Sequence, residues 1–407
     1  MSAPTTYPPT APARTAQHAR STSLAKKVAP LPTPHMSGPR LFQVMRIGLV
    51  VWTLVSTVLC LASVLASQSH QESSAGTLIH AQDLRDLRSE VAQAQATALT
   101  SLIDPQGMKA DLWGSYDDSR TQIDLLLLGC AASAPHPADL GDVATALRAW
   151  QEDLAVAHHD AVGPGIAEDA TLEITTSYTA VINAITSQLT TATNQESSST
   201  PFIVLSILAS VLGGLGFVVV LVVTARRSHR IINIGLSIGL IAIIGAIVSV
   251  GVYASESGQI TVTDSRIATL SQAETDTWDV ASSDALSVLE PDSWKVHVGV
   301  ATNLLSSLET KLNGVSSAAS GVLTALDTTQ RNITTSNDVE ARGAIVVDLR
   351  PWQNTSVVIS STIDDARPDS NSLVVPALGY VITVATCCVI AIIATLAGIH
   401  ARTKEYS

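Results

Sequence analysis

The sequence predicts an all-α membrane protein with four transmembrane helices, arranged as two tandem span–extracytoplasmic helical bundle–span units. Three observations carry this prediction. Charged residues make up 14% of the 407 residues and apolar residues 46%, with a mean hydropathy of +0.31, whereas water-soluble domains run nearer a quarter charged. Residues 47–66, 202–224, 231–254 and 373–399 are apolar throughout, with no charge in their interiors, and a bilayer is crossed by about 20 such residues. The two long polar segments between these spans show helical periodicity, with no competing strand-like alternation.

Residues 1–46 are basic and rich in Pro, Thr, Ser and Ala. They cannot bury a core and read as a disordered cytoplasmic tail suited to an anionic inner leaflet. The first span lies behind this leader and is about 20 residues long, which argues against a signal peptide. Residues 67–200 read as an extracytoplasmic four-helix bundle. Leu84, Leu87, Val91, Ala94, Ala98 and Leu102 form one apolar face, and Leu112, Tyr116, Ile123, Leu127 and Cys130 a second. Leu140, Val143, Leu147, Trp150 and Leu154 make a third. Ile174, Tyr178, Val181, Ile182, Ile185 and Leu189 make a fourth. Breaks fall at Pro105, at Pro135 to Pro137 and at Gly163-Pro164-Gly165, so short links join antiparallel neighbours.

After the second span comes a short cytoplasmic link, residues 225–230, and then the third span. Residues 255–372 form a second extracytoplasmic helical domain. Ile267, Leu270, Ala281, Ala285 and Val288 mark its first helix, and Val298, Ala301, Leu305, Leu308 and Leu312 its second. Val322, Leu326 and Ile333 suggest a third. The β-branched runs 345–352 and 357–363, interrupted by Pro351, predict a short or irregular fourth helix. The fourth span leads to a cytoplasmic tail, residues 400–407.

A short echo supports an internal repeat. Ala98-Leu99 precedes Asp104-Pro105 in the first loop, and Ala285-Leu286 precedes Glu290-Pro291 in the second. An acid followed by Pro ends one helix, and Pro is expected to open the next at its first turn.

Charge sets the orientation. Residues 1–46 carry +6, the link +3 through Arg226, Arg227 and Arg230, and the last tail +1. The two long loops carry -13 and -9. The positive-inside rule then places both termini and the link in the cytoplasm of a multi-pass plasma-membrane protein, with both loops outside. A net charge of -12 and few aromatic residues exclude nucleic acid as a partner.

No enzyme is expected. The cytoplasmic segments are too small for a catalytic domain, no GxxxxGK[ST] or HExxH motif occurs, and no cofactor or metal is implied. His158-His159-Asp160 reads as a surface cluster rather than a metal site, for want of further ligands at zinc spacing. Asp117-Asp118 and Asp364-Asp365 lack the ligand pattern of a calcium loop and read as solvated. Cys130 reads as a buried thiol, and Cys60, Cys387 and Cys388 as packing residues within spans. Asn332-Ile-Thr334 and Asn354-Thr-Ser356 match glycosylation sequons.

A transporter is the weakest reading, because the spans hold no charged residue. Their small residues, Ser206, Ser210 and Gly214, and Gly235 and Gly239, suggest close helix packing and permit a homodimer. The architecture suits signal relay, in which a shift in an outer helix moves a continuous helix through the bilayer. The rival reading is a structural or adhesion-type scaffold with envelope-binding bundles.

The link Arg226-Arg227-Ser228-His229-Arg230-Ile231-Ile232-Asn233-Ile234-Gly235-Leu236 resembles the inner loop of a family of four-span actinobacterial membrane proteins. These are encoded beside an amino-acid-binding lipoprotein and the soluble serine/threonine protein kinase G. The ending Arg402-x-x-Glu405-Tyr406 and the acid-Pro joints are similar to that family's, and Ser407 departs from its expected Arg. The resemblance spans residues 41–407. It implies relay of extracytoplasmic glutamate or aspartate sensing, through the lipoprotein, to the cytoplasmic kinase. It implies that Arg226, Arg227, Arg230, Asn233, Arg402, Glu405 and Tyr406 lie at the cytoplasmic partner contact. Simple topology anchoring is the other reading of these arginines.

Overall fold

The computed structural model describes residues 38–103, 111–135, 140–160, 168–195, 200–228, 234–313, 317–368 and 373–405. The elements are α1 (Gly38–Ile103), α2 (Leu112–Ser133), α3 (Gly141–Asp160), α4 (Glu168–Gln195), α5 (Thr200–Ser228), α6 (Ile234–Leu289), α7 (Trp294–Leu312), α8 (Ser317–Thr335), α9 (Val339–Val346), α10 (Arg350–Ala366) and α11 (Ala377–Glu405). No strand occurs among the described residues.

Two helices set the architecture. α1 runs for 66 residues and α6 for 56, roughly 100 Å and 84 Å at the standard helical rise. Each starts as an apolar span and continues unbroken into a helical head. α1 and α6 pack against each other, while α5 and α11 pack on both to complete the apolar layer. These four helices are each long and apolar enough to cross a membrane. Val51, Leu54, Val58, Val219, Ile241 and Ile393 stay exposed on them, an apolar surface suited to the acyl chains of a bilayer.

The spans close on small residues. A Cβ at Gly235 would lie 2.4 Å from the Ala394 carbonyl oxygen and 2.6 Å from the Gly398 Cα. Gly235 therefore lets α6 and α11 touch through their backbones. Gly239 meets the Phe217 ring in the same way. Hydroxyls inside the layer bond back to their own helix: Thr53 donates to the Leu49 carbonyl, Thr57 to Thr53 and Ser210 to Ser206. This satisfies polar groups where lipid offers no partner. Trp52 donates from its indole Nε1 to the Leu212 carbonyl at 3.1 Å.

In the head, α2 and α4 pack on α1, with α3 on α4, while α7, α9 and α10 pack on α6 and α8 lies across α7 and α10. The apolar faces read from the sequence turn inward. Leu84, Leu87, Val91, Ala94 and Ala98 are fully buried, as are Trp150, Leu154, Ala301 and Leu308. Each such Leu or Val side chain contributes roughly 1.5–3 kcal/mol on burial. The two groups of helices share one core, which runs from Leu84 and Trp150 through Ala281 and Trp278 to Trp352. The tandem units thus fuse along α1 and α6. Both halves of the sequence echo lie in that core: Ala98, Leu99 and Ala285 are fully buried and Leu286 nearly so.

Four details differ from the sequence expectation. Residues 38–46, read as the end of a disordered tail, are already helical as the start of α1, because the apolar span behind them extends its helix backward. Pro291 does not open α7. It occupies a tight turn closed by the Ser293 N–H donating to the Glu290 carbonyl at 3.1 Å, and α7 starts only at Trp294. Proline's fixed φ fits the second position of such a turn, so the helix opens once the turn is complete. The fourth helix of the second half is regular. Pro351 lies in the first turn of α10, where its missing N–H costs nothing, and the short α9 precedes it. The last apolar helix starts at Ala377, because Leu373 and Val375 are buried outside the helix. Residues 1–37, Pro105 and Gly163-Pro164-Gly165 lie outside the described residues.

Candidate functional site

The residues read as a cytoplasmic contact are only partly described. Arg226 is exposed near the end of α5. Arg227 also belongs to α5, and Arg402 and Glu405 belong to the end of α11. Arg230, Asn233 and Tyr406 lie outside the described residues.

The densest polar structure lies instead on the seam between α1 and α6. Arg85 Nη1 reaches Asp264 Oδ1 at 2.8 Å, and Nη2 reaches Oδ2 at 3.4 Å. One helical turn further on, Arg88 Nη1 donates to Gln272 Oε1 at 2.9 Å, and Gln272 Nε2 donates to Asp276 Oδ1 at 2.7 Å. Asp276 also receives Lys311 from α7. A continuous hydrogen-bonded chain therefore crosses α1, α6 and α7. The Tyr178 hydroxyl of α4 donates to Asp279 at 2.7 Å, and the Ser356 hydroxyl of α10 to Glu274 at 3.0 Å. Beyond these, Arg367 pairs with Asp86 at 2.9 Å. α6 is thus bonded through side chains to α1, α4, α7 and α10.

Several acids along this seam resist ionisation. Burial pushes Glu274 up to about 7, with smaller lowering from Ser356 and Ser89 and raising from Asp86 and Glu90. Burial likewise raises Asp86, Glu90 and Asp279. Asp284 is fully enclosed. Burial pushes it up to about 8, with a smaller lowering from the nearby Gln330 amide, whose approach falls short of a well-formed hydrogen bond to either carboxylate oxygen. A buried acid with so little donor support favours its neutral form, because low dielectric penalises the charge.

The other tempting residues resolve into packing. The His158 ring stacks on Trp113 with centroids 3.6 Å apart, while His159 and Asp160 are exposed. Asp117, Asp118, Asp364 and Asp365 are exposed. Cys130 is fully buried, and burial lifts its thiol to about 12. No group of three or more metal-ligating side chains occurs among the described residues. His80, Asp83 and Ser133 converge, yet the Ser133 hydroxyl donates to Asp83 at 2.6 Å and His80 Nδ1 sits 3.2 Å away. The carboxylate, rather than the imidazole, accepts the serine hydroxyl's hydrogen bond, so this group ties α2 to α1. A G-x-S-x-G run does occur, from Gly235 to Gly239, but it lies within continuous α6. A hydrolase nucleophile elbow needs a strand–turn–helix corner.

The sequence reading missed the seam. Its signal was the composition of residues 91–102 and 271–287, where small residues of every polarity are buried on all sides of the helix. Such runs mark two central helices in close approach. Comparison with protein-family models, curated proteins and solved structures returns no match.

Proposed function

We propose that this chain is a transmembrane relay subunit, passing a change in its helical head to the opposite side of the membrane. The observation that carries this reading is the continuity of α1 and α6 from head to span. A partner or ligand that favours one arrangement of these helices shifts the span packing by its differential affinity for the two arrangements. The polar seam supplies discrete pairings that can exchange, where a purely apolar interface would offer little to select between them.

In this proposal the acidic head lies outside the plasma membrane, with the arginines at the end of α5 and both termini inside, as charge bias orients membrane helices. The resemblance carried by the link and the C-terminal residues supplies the partners. They are an amino-acid-binding lipoprotein that reports glutamate or aspartate outside and a serine/threonine kinase inside. Arg226, Arg227 and Arg230 would contact the kinase, with Asn233, Arg402, Glu405 and Tyr406 beside them.

The test is a crosslinked pull-down of the tagged protein from native membranes, with partners identified by mass spectrometry. Recovery of both a solute-binding lipoprotein and a kinase, with the kinase lost when Arg226, Arg227 and Arg230 become Ala, supports the relay. Recovery of envelope proteins alone, with the kinase present in the lysate, replaces it with the scaffold reading.

A further inference from the structure

A cavity of about 270 Å³ opens in the head where α1, α4 and α6 meet. Arg85 and Arg88 line it from α1, Thr190 and Thr193 from α4, and Ser271 and Gln272 from α6. Among the described residues no carboxylate lines it, although the surrounding head is strongly acidic. Its size suits a small metabolite rather than a drug-sized ligand.

The two arginines differ in availability. Arg85 is committed to Asp264. Arg88 makes no ion pair among the described residues. Its Nη1 is held by Gln272, and its buried Nε has no partner. Asp279 is the acid nearest in effect, but it already accepts the Tyr178 hydroxyl, and burial favours its neutral form. Ser271 is 5% exposed, and its hydroxyl is also without a partner. Two residues that line the cavity thus carry buried, unsatisfied donors behind its wall, at a cost of roughly 1–3 kcal/mol each. At the rim, the Thr190 and Thr193 hydroxyls donate to the carbonyls of Thr186 and Leu189 at 2.8 and 3.0 Å. Their lone pairs are left free to accept.

We infer that this cavity is a binding site for a small organic carboxylate bearing a hydrogen-bond donor near its carboxyl group. The carboxylate takes the Arg88 guanidinium, a charge-assisted pairing. The neighbouring hydroxyl or ammonium donates to Thr190 or Thr193. Occupancy would join α4 to the α1–α6 seam. That this junction is an input to the spans rests on the relay reading, whereas the binding itself does not.

The test is calorimetric titration of the full-length protein in nanodiscs with L-malate, L-lactate, L-serine, propionate and inorganic phosphate. The expected result is saturable binding of at least one of the first three. That binding falls at least about tenfold in Arg88→Met and in Thr190→Asp, which places a repelling charge at the exposed rim. Propionate, lacking the donor, binds at least about tenfold more weakly. Thr190→Asp lies at an exposed position, so it remains informative if Arg88→Met fails to fold. The inference is overturned if none of the three saturates below about 10 mM, if both variants bind as the parent does, or if phosphate binds as tightly as the best carboxylate. A negative titration leaves the pull-down unaffected, so the two failures are distinguishable.

Discussion

Arg85 on α1 and Asp264 on α6 form a two-pronged ion pair across the seam of the head, with side chains 7% and 16% exposed. Partial burial raises the stakes of this pair. Intact, it is close to neutral for stability, while loss of one partner strands a charge. Asp264→Ala is expected to destabilise the head by about 2–3 kcal/mol. The double reversal Arg85→Asp with Asp264→Arg should recover most of that loss. Thermal unfolding of the detergent-solubilised protein checks this, and recovery of less than half would sink the pairing as the cause.

Asp284 gives the head a pH dependence of definite sign. Its folded pKa, about 8, lies above the ordinary aspartate value of 3.8. The folded state therefore holds a proton that the unfolded state releases. The stability associated with that proton is fully present below about pH 4 and is lost as pH rises towards 8. Asp284→Asn removes this residue's share of the dependence. The variant should melt within about 1 °C of the parent at pH 4 and at least about 3 °C above it at pH 8. A constant offset across that range would contradict the assignment. Glu274 adds to the same trend between 4.5 and about 7.

The contact of α6 with α11 depends on Gly235. A valine there would meet the Ala394 carbonyl and the Gly398 backbone, neither of which can swing aside. Gly235→Val should cost more than about 2 kcal/mol and reduce the monodisperse fraction after extraction. Gly251, whose Cβ direction is open, is the control, and Gly251→Val should behave as the parent. Equal behaviour of the two variants would refute the close approach.

Trp150 fills the first half of the head and donates from Nε1 to Gln95 Oε1 at 2.7 Å. Trp150→Phe keeps most of the apolar volume but leaves the buried amide oxygen unpaired. The expected cost is about 2 kcal/mol. Gln95→Leu in the same background should return part of it by removing the orphaned group. Chemical denaturation followed by circular dichroism measures both, and a double variant no better than the single one would count against this account.

The spans and the faces of α1, α3 and α7 were legible because bilayer and core each impose one repeated demand. Lipid requires an uninterrupted apolar run, and a one-sided core requires apolar residues at helical spacing. Residues such as Leu84, Leu87 and Val91 answer only that demand. Periodicity says that a face is buried but not against what, so nothing in the sequence reported that α1 and α6 would share a core. Around Ser271 to Ser287 the helix is enclosed on all sides, and the one-sided pattern disappears where packing is tightest. Arg85, Arg88, Asp264 and Gln272 were legible only as charge and polarity, since 179 to 184 positions separate the partners. The arginine link stood out because its charges are contiguous, yet part of it falls outside the described residues.

At the boundary between head and spans, Gln71 of α1 donates to Ser257 of α6 at 2.9 Å and accepts the backbone N–H of Val375 at 3.1 Å. Its neighbour Gln68 accepts the N–H of Ala377, the first residue of α11, at 3.2 Å. The free donors at the start of the final span are thus satisfied by side chains that left the ribosome some 300 residues earlier. Biogenesis acquires an order from this. The first span must wait, inserted and incompletely matched, until the last one arrives to close the ring. Each half of the chain is then an assembly partner for the other, and the membrane layer closes only when the fourth span joins the first.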